Sequence, residues 1–220
     1  MKPTLPQAKP SARRNPLRES AKESSTYPKK KTIPKPRKDS LFQKNKAELR
    51  DISCFDCSAS HEVSPISTST LCPKCGSYIS LKSYEIRGEW NRKIQTRGDV
   101  FIFKKGIVSG TTIQCHHLTV EGDFTGGVEC SGDLIIRHHG KIVGKVICKR
   151  LIIEKRATVE FLNSVETTEC TIDGLVTGNI TCSGRLALEK KAILSGNIKV
   201  GRLAISKGAK HQGQIQMGGL

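Results

Sequence analysis

Aromatic residues make up only 5% of this 220-residue chain, with a single tryptophan, and the whole apolar set reaches 36%. That is too little for one large mixed core, so burial has to rely on small and β-branched side chains. No run approaches the roughly 20 consecutive apolar residues of a membrane-spanning helix, and the first residues lack the apolar segment of a secretory signal. The expected location is therefore the cytoplasm. Acidic residues are scarce as well: 20 Asp and Glu stand against 37 Lys and Arg, for a formal charge of +17. Cysteine is plentiful. Nine thiols in a chain without an export signal point to metal ligation and reduced core cysteines, because disulfides rarely persist in the cytosol.

The positive charge is concentrated in residues 1–50, which hold 15 Lys and Arg against four acidic residues, together with seven of the nine prolines. Such a segment buries too little apolar surface to offset its ordering entropy, so a disordered, Pro-rich arm is expected. Lys29, Lys30, Lys31, Lys35, Arg37 and Lys38 form its densest cluster. Two readings stay open. The cluster either holds the chain to an anionic surface, the inner face of the membrane or DNA, or it is a solvated linker. No aromatic platform is interleaved with the charges, as binders of single-stranded nucleic acid require.

Residues 51–85 carry Cys54-Phe-Asp-Cys57 and Cys72-Pro-Lys-Cys75-Gly76. Each Cys-x2-Cys turn points two thiolates at one ion, and two such turns complete the tetrahedron of a structural Zn²⁺, so a zinc-ribbon-like module with four cysteine ligands is expected. With all four positions filled by protein, none is open for a catalytic water. His61 as a substitute ligand, an iron centre of the rubredoxin kind and a thiol redox pair are the competing readings.

From Gly98 onward, short runs of Ile, Val, Leu and Thr are broken by glycine at intervals of 16 to 18 residues: Gly110, Gly126, Gly144, Gly178, Gly196 and Gly213, with Phe161 in the remaining slot. Four residues before each stands Gly106, Gly122, Gly140, Ala157, Gly174, Ala192 or Ala209. Between them Val128, Val146, Ile180, Ile198 and Ile215 form one column, and Cys130, Cys148, Val165, Cys182 and Val200 another. Apolar pairs such as Leu134/Ile136, Leu151/Ile153, Leu186/Leu188 and Leu203/Ile205 follow. Period-two alternation places these columns on the inner faces of short strands. A coil of about 17 residues is too short for a strand plus a helix but fits three short strands with corners. Seven such coils at about 4.8 Å would make a rod roughly 33 Å long.

The repeat, as in Gly144-Lys-Val-Ile-Cys-Lys-Arg-Leu-Ile-Ile-Glu-Lys-Arg-Ala-Thr-Val, resembles the polymer-forming domain of bactofilins over residues 98–217. The resemblance implies an all-β fold, a right-handed, three-sided parallel β-helix of about six to seven coils. It also implies a homopolymer that assembles end to end into filaments without nucleotide, as a cytoskeletal scaffold that recruits or positions cell-shape or cell-envelope factors. Two departures stand out: Phe161 with the following Leu-Asn-Ser-Val predicts a distorted middle coil, and the cysteine module is an addition to the minimal family architecture.

End coils of a stack have unpaired edges and uncovered cores, which makes both ends candidate polymer interfaces. Phe101 and Phe103, expected in the first coil, and Ile215 and Met217, expected in the last with no capping helix after Ala209, are the candidate contacts. Cys130, Cys148 and Cys182, with Cys115 and Cys170 in comparable positions, read as small core residues. His116-His117 and His138-His139 read as surface pairs in which neighbours face opposite sides, so that each doublet lends at most one side chain to any site. Nothing in the pattern resembles an active site or a pocket for a small-molecule substrate. The rival to the scaffold is a zinc-ribbon protein that binds nucleic acid through the basic arm, or an adaptor whose module docks a protein partner.

Overall fold

The computed structural model describes residues 49–218, all strand, turn and loop with no helix among them. The Pro-rich arm, including Lys29, Lys30, Lys31, Lys35, Arg37 and Lys38, lies outside the described residues. The first four strands make two small antiparallel hairpins: β1 (Arg50–Ser53) with β2 (Ser60–Val63), and β3 (Ser69–Leu71) with β4 (Tyr78–Ser80). Every later pairing is parallel, as a solenoid requires.

The solenoid has three faces. On the first, Tyr84, Val100, Leu118, Leu134, Leu151, Cys170, Leu186 and Leu203 stand in register. The second is built from short strands such as Thr158–Phe161, Leu175–Thr177, Ile193–Ser195 and Lys210–Gln212. On the third, Ile94, Ile113, Val128, Val146, Val165, Ile180, Ile198 and Ile215 line up. The stack is therefore a three-sided parallel β-helix of about eight turns. It starts at Tyr84, one coil ahead of the expected start at residue 98. That coil is built from β5 (Tyr84–Ile86), β6 (Glu89–Trp90) and β7 (Ile94–Gln95). Its repeat is hidden in the sequence because Gly88 keeps the small-residue position while the polar Asn91, Arg92 and Lys93 replace the corner glycine.

Alternation along the strands sends one side chain in and the next out. Leu118, Val120, Leu134, Ile136, Leu151, Ile153, Ile172, Leu186 and Leu188 are all buried in one continuous core. Fully burying such a side chain contributes about 1.5–3 kcal/mol, and each coil supplies several. The glycine column has a steric origin. Gly196 has φ +139°, and a Cβ there would sit 2.1 Å from the Gly178 carbonyl oxygen of the coil above. Beside it a short side-chain ladder ties the corners: the Asn197 amide donates to Asn179 Oδ1 at 3.0 Å and the Gln214 amide to Asn197 Oδ1 at 3.1 Å.

Phe161 does not break the rod. Its ring is buried, in register with Ile142, and the extra length is taken up by an exposed turn over Leu162, Asn163 and Ser164, where the Asn163 side-chain amide donates to the Val143 carbonyl. The register shift between Thr167 and Cys170 is shared with other levels of the stack, at Thr125/Gly127 and Cys182/Arg185, and does not single out the Phe161 coil.

Candidate metal centre and the two ends of the rod

Each Cys-x2-Cys turn caps one hairpin. Cys54 and Cys57 follow β1, and the Cys54 amide donates to the Ala59 carbonyl at 2.9 Å; Cys72 and Cys75 follow β3, and the Cys72 amide donates to Ser77 at the same distance. The Gly76 amide closes the second turn onto the Cys72 carbonyl, with φ +74°, a left-handed conformation that glycine adopts without strain. The two turns face each other. Cys54 Sγ lies 3.6 Å from Cys75 Sγ, Cys57 Sγ lies 3.5 Å from Cys72 Sγ, and all four sulfurs fall within 4.8 Å of one another. A tetrahedron with metal–sulfur bonds of about 2.3 Å has edges of about 3.8 Å, so the donor set has the size such an ion needs. The Asp56 amide, 3.4 Å from Cys54 Sγ, adds a donor to a thiolate.

The protonation balance points the same way. The Ser77 hydroxyl and amide pull Cys75 down to about 6. The Ala59 backbone also pulls Cys57 down, yet burial and the neighbouring Cys72, Cys75 and Cys54 sulfurs push it up to about 12. Crowding of the four sulfurs thus opposes a second thiolate charge beside Cys75, and a cation held between them would offset that repulsion. His61 sits on β2 opposite Ile52 and is outside the cluster of four.

The module is fastened to the rod. The Arg97 Nε donates to the Ser53 carbonyl at 2.7 Å while its guanidinium lies 3.8 Å from the Phe55 ring centre, and Arg50 Nη2 donates to the Arg97 carbonyl at 3.0 Å. Thr96, buried at the first level, donates its hydroxyl to the Lys82 carbonyl at 2.7 Å with the Ser80 carbonyl at 3.2 Å, and accepts from the Gly98 amide. Gly98 has to be glycine, because a Cβ would meet the Lys82 and Leu81 oxygens at 2.4 and 2.5 Å.

The two ends differ. In the first coil Ile86 is 3% exposed and Ile94 is 1% exposed. Tyr84 and Trp90 pack on that core and meet edge to face at 5.9 Å. In the last coil Ile205 is 50%, Ile215 44% and Met217 61% exposed. Phe101 and Phe103 are not at an end. They lie at the second level, beneath β5, in a strand whose inward residues are Val100 and Ile102. Phe101 faces out between Glu85 and Thr119, the two rings are 4.3 Å apart, and Arg87 lies 3.7 Å over Phe103. Their expected terminal position failed because the extra coil at Tyr84–Gln95 sits on top of them.

The interior thiols form the column expected, extended by Cys115, whose Sγ is 3.4 Å from that of Cys130. The slot expected for Val165, however, is held by Thr167, in register with Cys148 and Cys182, because the turn over Leu162–Ser164 shifts the strand by two residues and sets Val165 beside Val146. Cys170 belongs to the neighbouring face, beside Leu151 and Leu186. Burial pushes Cys170 far above the usual thiol range and Cys148 up to about 11, so these are inert core groups. The first histidine doublet differs from expectation. His116 and His117 occupy a corner, not a strand, so alternation lapses and both rings, 4.0 Å apart, line one open groove of about 350 Å³ with Ser131, Asp133 and Arg150. The His116 Nδ1 is 2.9 Å from Ser131 Oγ, and the Asp133 amide donates to His117 Nδ1 at 2.8 Å.

Comparison with known proteins agrees with this geometry. The family model of bactofilin, described as polymer-forming cytoskeletal, matches residues 74–163 and again 160–216. Bactofilin BacO of Myxococcus xanthus (strain DK1622) is 30% identical over 115 residues, 52% of this chain and 85% of the relative. No solved structure matches the chain. With a family model covering well over half its length and the parallel coil stack that the repeat demands, the chain belongs to the bactofilin family of polymer-forming cytoskeletal proteins.

Proposed function

We propose that the protein is a cytoplasmic scaffold whose rods join copy to copy, without nucleotide, and hold cell-shape or cell-envelope factors in place. The observation that carries this is the last described coil, where Ile205, Ile215 and Met217 lie exposed at a strand, Ile215–Met217, that among the described residues pairs on one side only. Such an edge is a template for another strand, and an apolar core end adds a hydrophobic driving force. The cysteine module is read as a structural Zn²⁺ site of Cys54, Cys57, Cys72 and Cys75, and its exposed Ile66, Leu71 and Tyr78 suit a protein partner. We read the chain as an arm ahead of Arg50 that attaches to an anionic membrane or to DNA, the module from Arg50 to Ser83, and the rod from Tyr84 to about residue 217.

Negative-stain electron microscopy of the purified chain without nucleotide tests the scaffold. Assemblies that disappear in Ile215→Arg, while Phe103→Arg leaves them intact, are the expected result; dispersed single rods in the unaltered protein would overturn it. The second reading, a nucleic-acid binder, is favoured by the four-cysteine module together with the basic arm and predicts DNA affinity that falls steeply with salt and is lost on deleting residues 1–50.

A further inference from the structure

From the asymmetry of the rod we infer that the cysteine module is a cap on the first coil, so that the metal-loaded chain joins a second copy only through the last coil and gains a second polymerising end when the cap is released. The inference rests on the reading of the four cysteines as metal ligands.

A β-helix exposes apolar core and unpaired edges at each end unless something covers them. Here the first coil is closed and the last is open: Ile86 and Ile94 are buried to the same degree as residues in mid-stack, whereas Ile215 and Met217 are not. What closes it is named. Tyr84 and Trp90 lie against the core, and above them the chain from Ser80 to Lys82 bonds to Thr96 and Arg97 in the way one coil bonds to the next. The module has its own small core of Ile52, Val63, Ile79 and Leu81 around Cys54 and Cys72, too few side chains to hold two hairpins with strands of four and three residues without a cross-link. Metal is that cross-link, and in such modules binding free energy is folding free energy. The module is fastened to the rod by Arg97, which bridges from the first coil to Ser53 and Phe55, the residues immediately before and after Cys54. Unfolding of the knuckle therefore removes the partners of Arg97 and loosens the Ser80–Lys82 segment bonded to Thr96 and Arg97, which frees the outer edge of the first coil while Tyr84 and Trp90 stay on its core.

The consequence for assembly is geometric. Head-to-tail addition needs one free end of each kind, and a capped chain offers only one kind. The remaining contact is open end to open end, an isologous pair that closes on itself and stops. Uncapping supplies the second interface, and pairs then link into a filament. The free copy of this chain is the occupant of both ends.

Full-length protein is to be loaded with Zn²⁺ under reducing conditions, its metal content read by mass spectrometry, and particle length read by sedimentation velocity and electron microscopy. Loaded protein should be mostly pairs of rods. Chelation should lengthen the particles severalfold, and adding Zn²⁺ back should shorten them. Arg97→Ala and, independently, Phe55→Ala should lengthen them with one metal per chain still bound, while circular dichroism reports an intact rod. Long filaments in the loaded protein, or lengths unmoved by chelation and by both substitutions, would overturn the cap. A metal content near zero would overturn the zinc site instead, and the two substitutions would still decide the cap.

Discussion

The guanidinium of Arg97 lies 3.8 Å from the centre of the Phe55 ring, and its Nε donates to the carbonyl of Ser53 at 2.7 Å. One side chain of the first coil thus makes both of its interactions with the turn that carries Cys54. A stacked, half-buried cation contributes about 0.5–2 kcal/mol and a charged hydrogen bond about 1.5–3. Arg97→Ala is expected to lower resistance to urea by about 2 kcal/mol, and Arg97→Lys to recover less than half of it, because an ammonium cannot stack and donate in the same plane.

Glycines of the corner column should differ in how far they can be replaced, according to how closely the adjoining coil approaches. Gly196→Ala places a methyl against the Gly178 oxygen at a φ that L-residues rarely adopt, and a loss of about 3 kcal/mol in chemical denaturation is expected. Gly110, at φ +64° with nothing within 4 Å of a Cβ, should accept asparagine within about 1 kcal/mol.

Thiol labelling should separate two classes of cysteine. Cys115, Cys130, Cys148, Cys170 and Cys182 are buried in the rod and should resist alkylation at pH 8 until the chain is unfolded. The module cysteines should become reactive on chelation alone. Labelling of Cys170 in the folded, metal-free protein would contradict a rod that stays intact when the module opens.

Acid should weaken one coil-to-coil tie. Arg150 donates to both carboxylate oxygens of Asp133, and this bonding holds the Asp133 carboxyl below its usual range. Because the folded-state value lies below the unfolded one, the stabilisation is present above the unfolded value near 3.9 and is lost as pH falls through the folded one. Asp133→Asn should therefore be less stable than the unaltered chain at pH 7, with the difference closing in thermal melts as the pH falls through the lowered folded-state value.

Leucine to alanine inside the stack offers a measure of the core. Leu186 is buried between Cys170 and Leu203 of the adjoining coils, and Leu186→Ala is expected to cost about 2–5 kcal/mol with little relaxation, because neighbouring coils are fixed by their ladders.

The amino-acid sequence alone determined the coil. Its period, its inward columns of Val146, Ile180 and Ile198, and the glycine corners all follow from backbone sterics and alternation, which act within a few residues and repeat from turn to turn. The cluster of four cysteines was legible for the same reason, since a Cys-x2-Cys turn is a local shape. What only the tertiary structure decided is where the repetition stops. The coil at Tyr84–Gln95 carries no corner glycine to announce it, and its presence moves Phe101 and Phe103 from an end to the flank of the second level. His116 and His117 share one groove because they fall at a corner, where the two-residue alternation of a strand no longer applies. Arg97 reaches Ser53 across 44 positions of chain. Contacts of that kind depend on which coil is stacked on which, and no local pattern of residues encodes them.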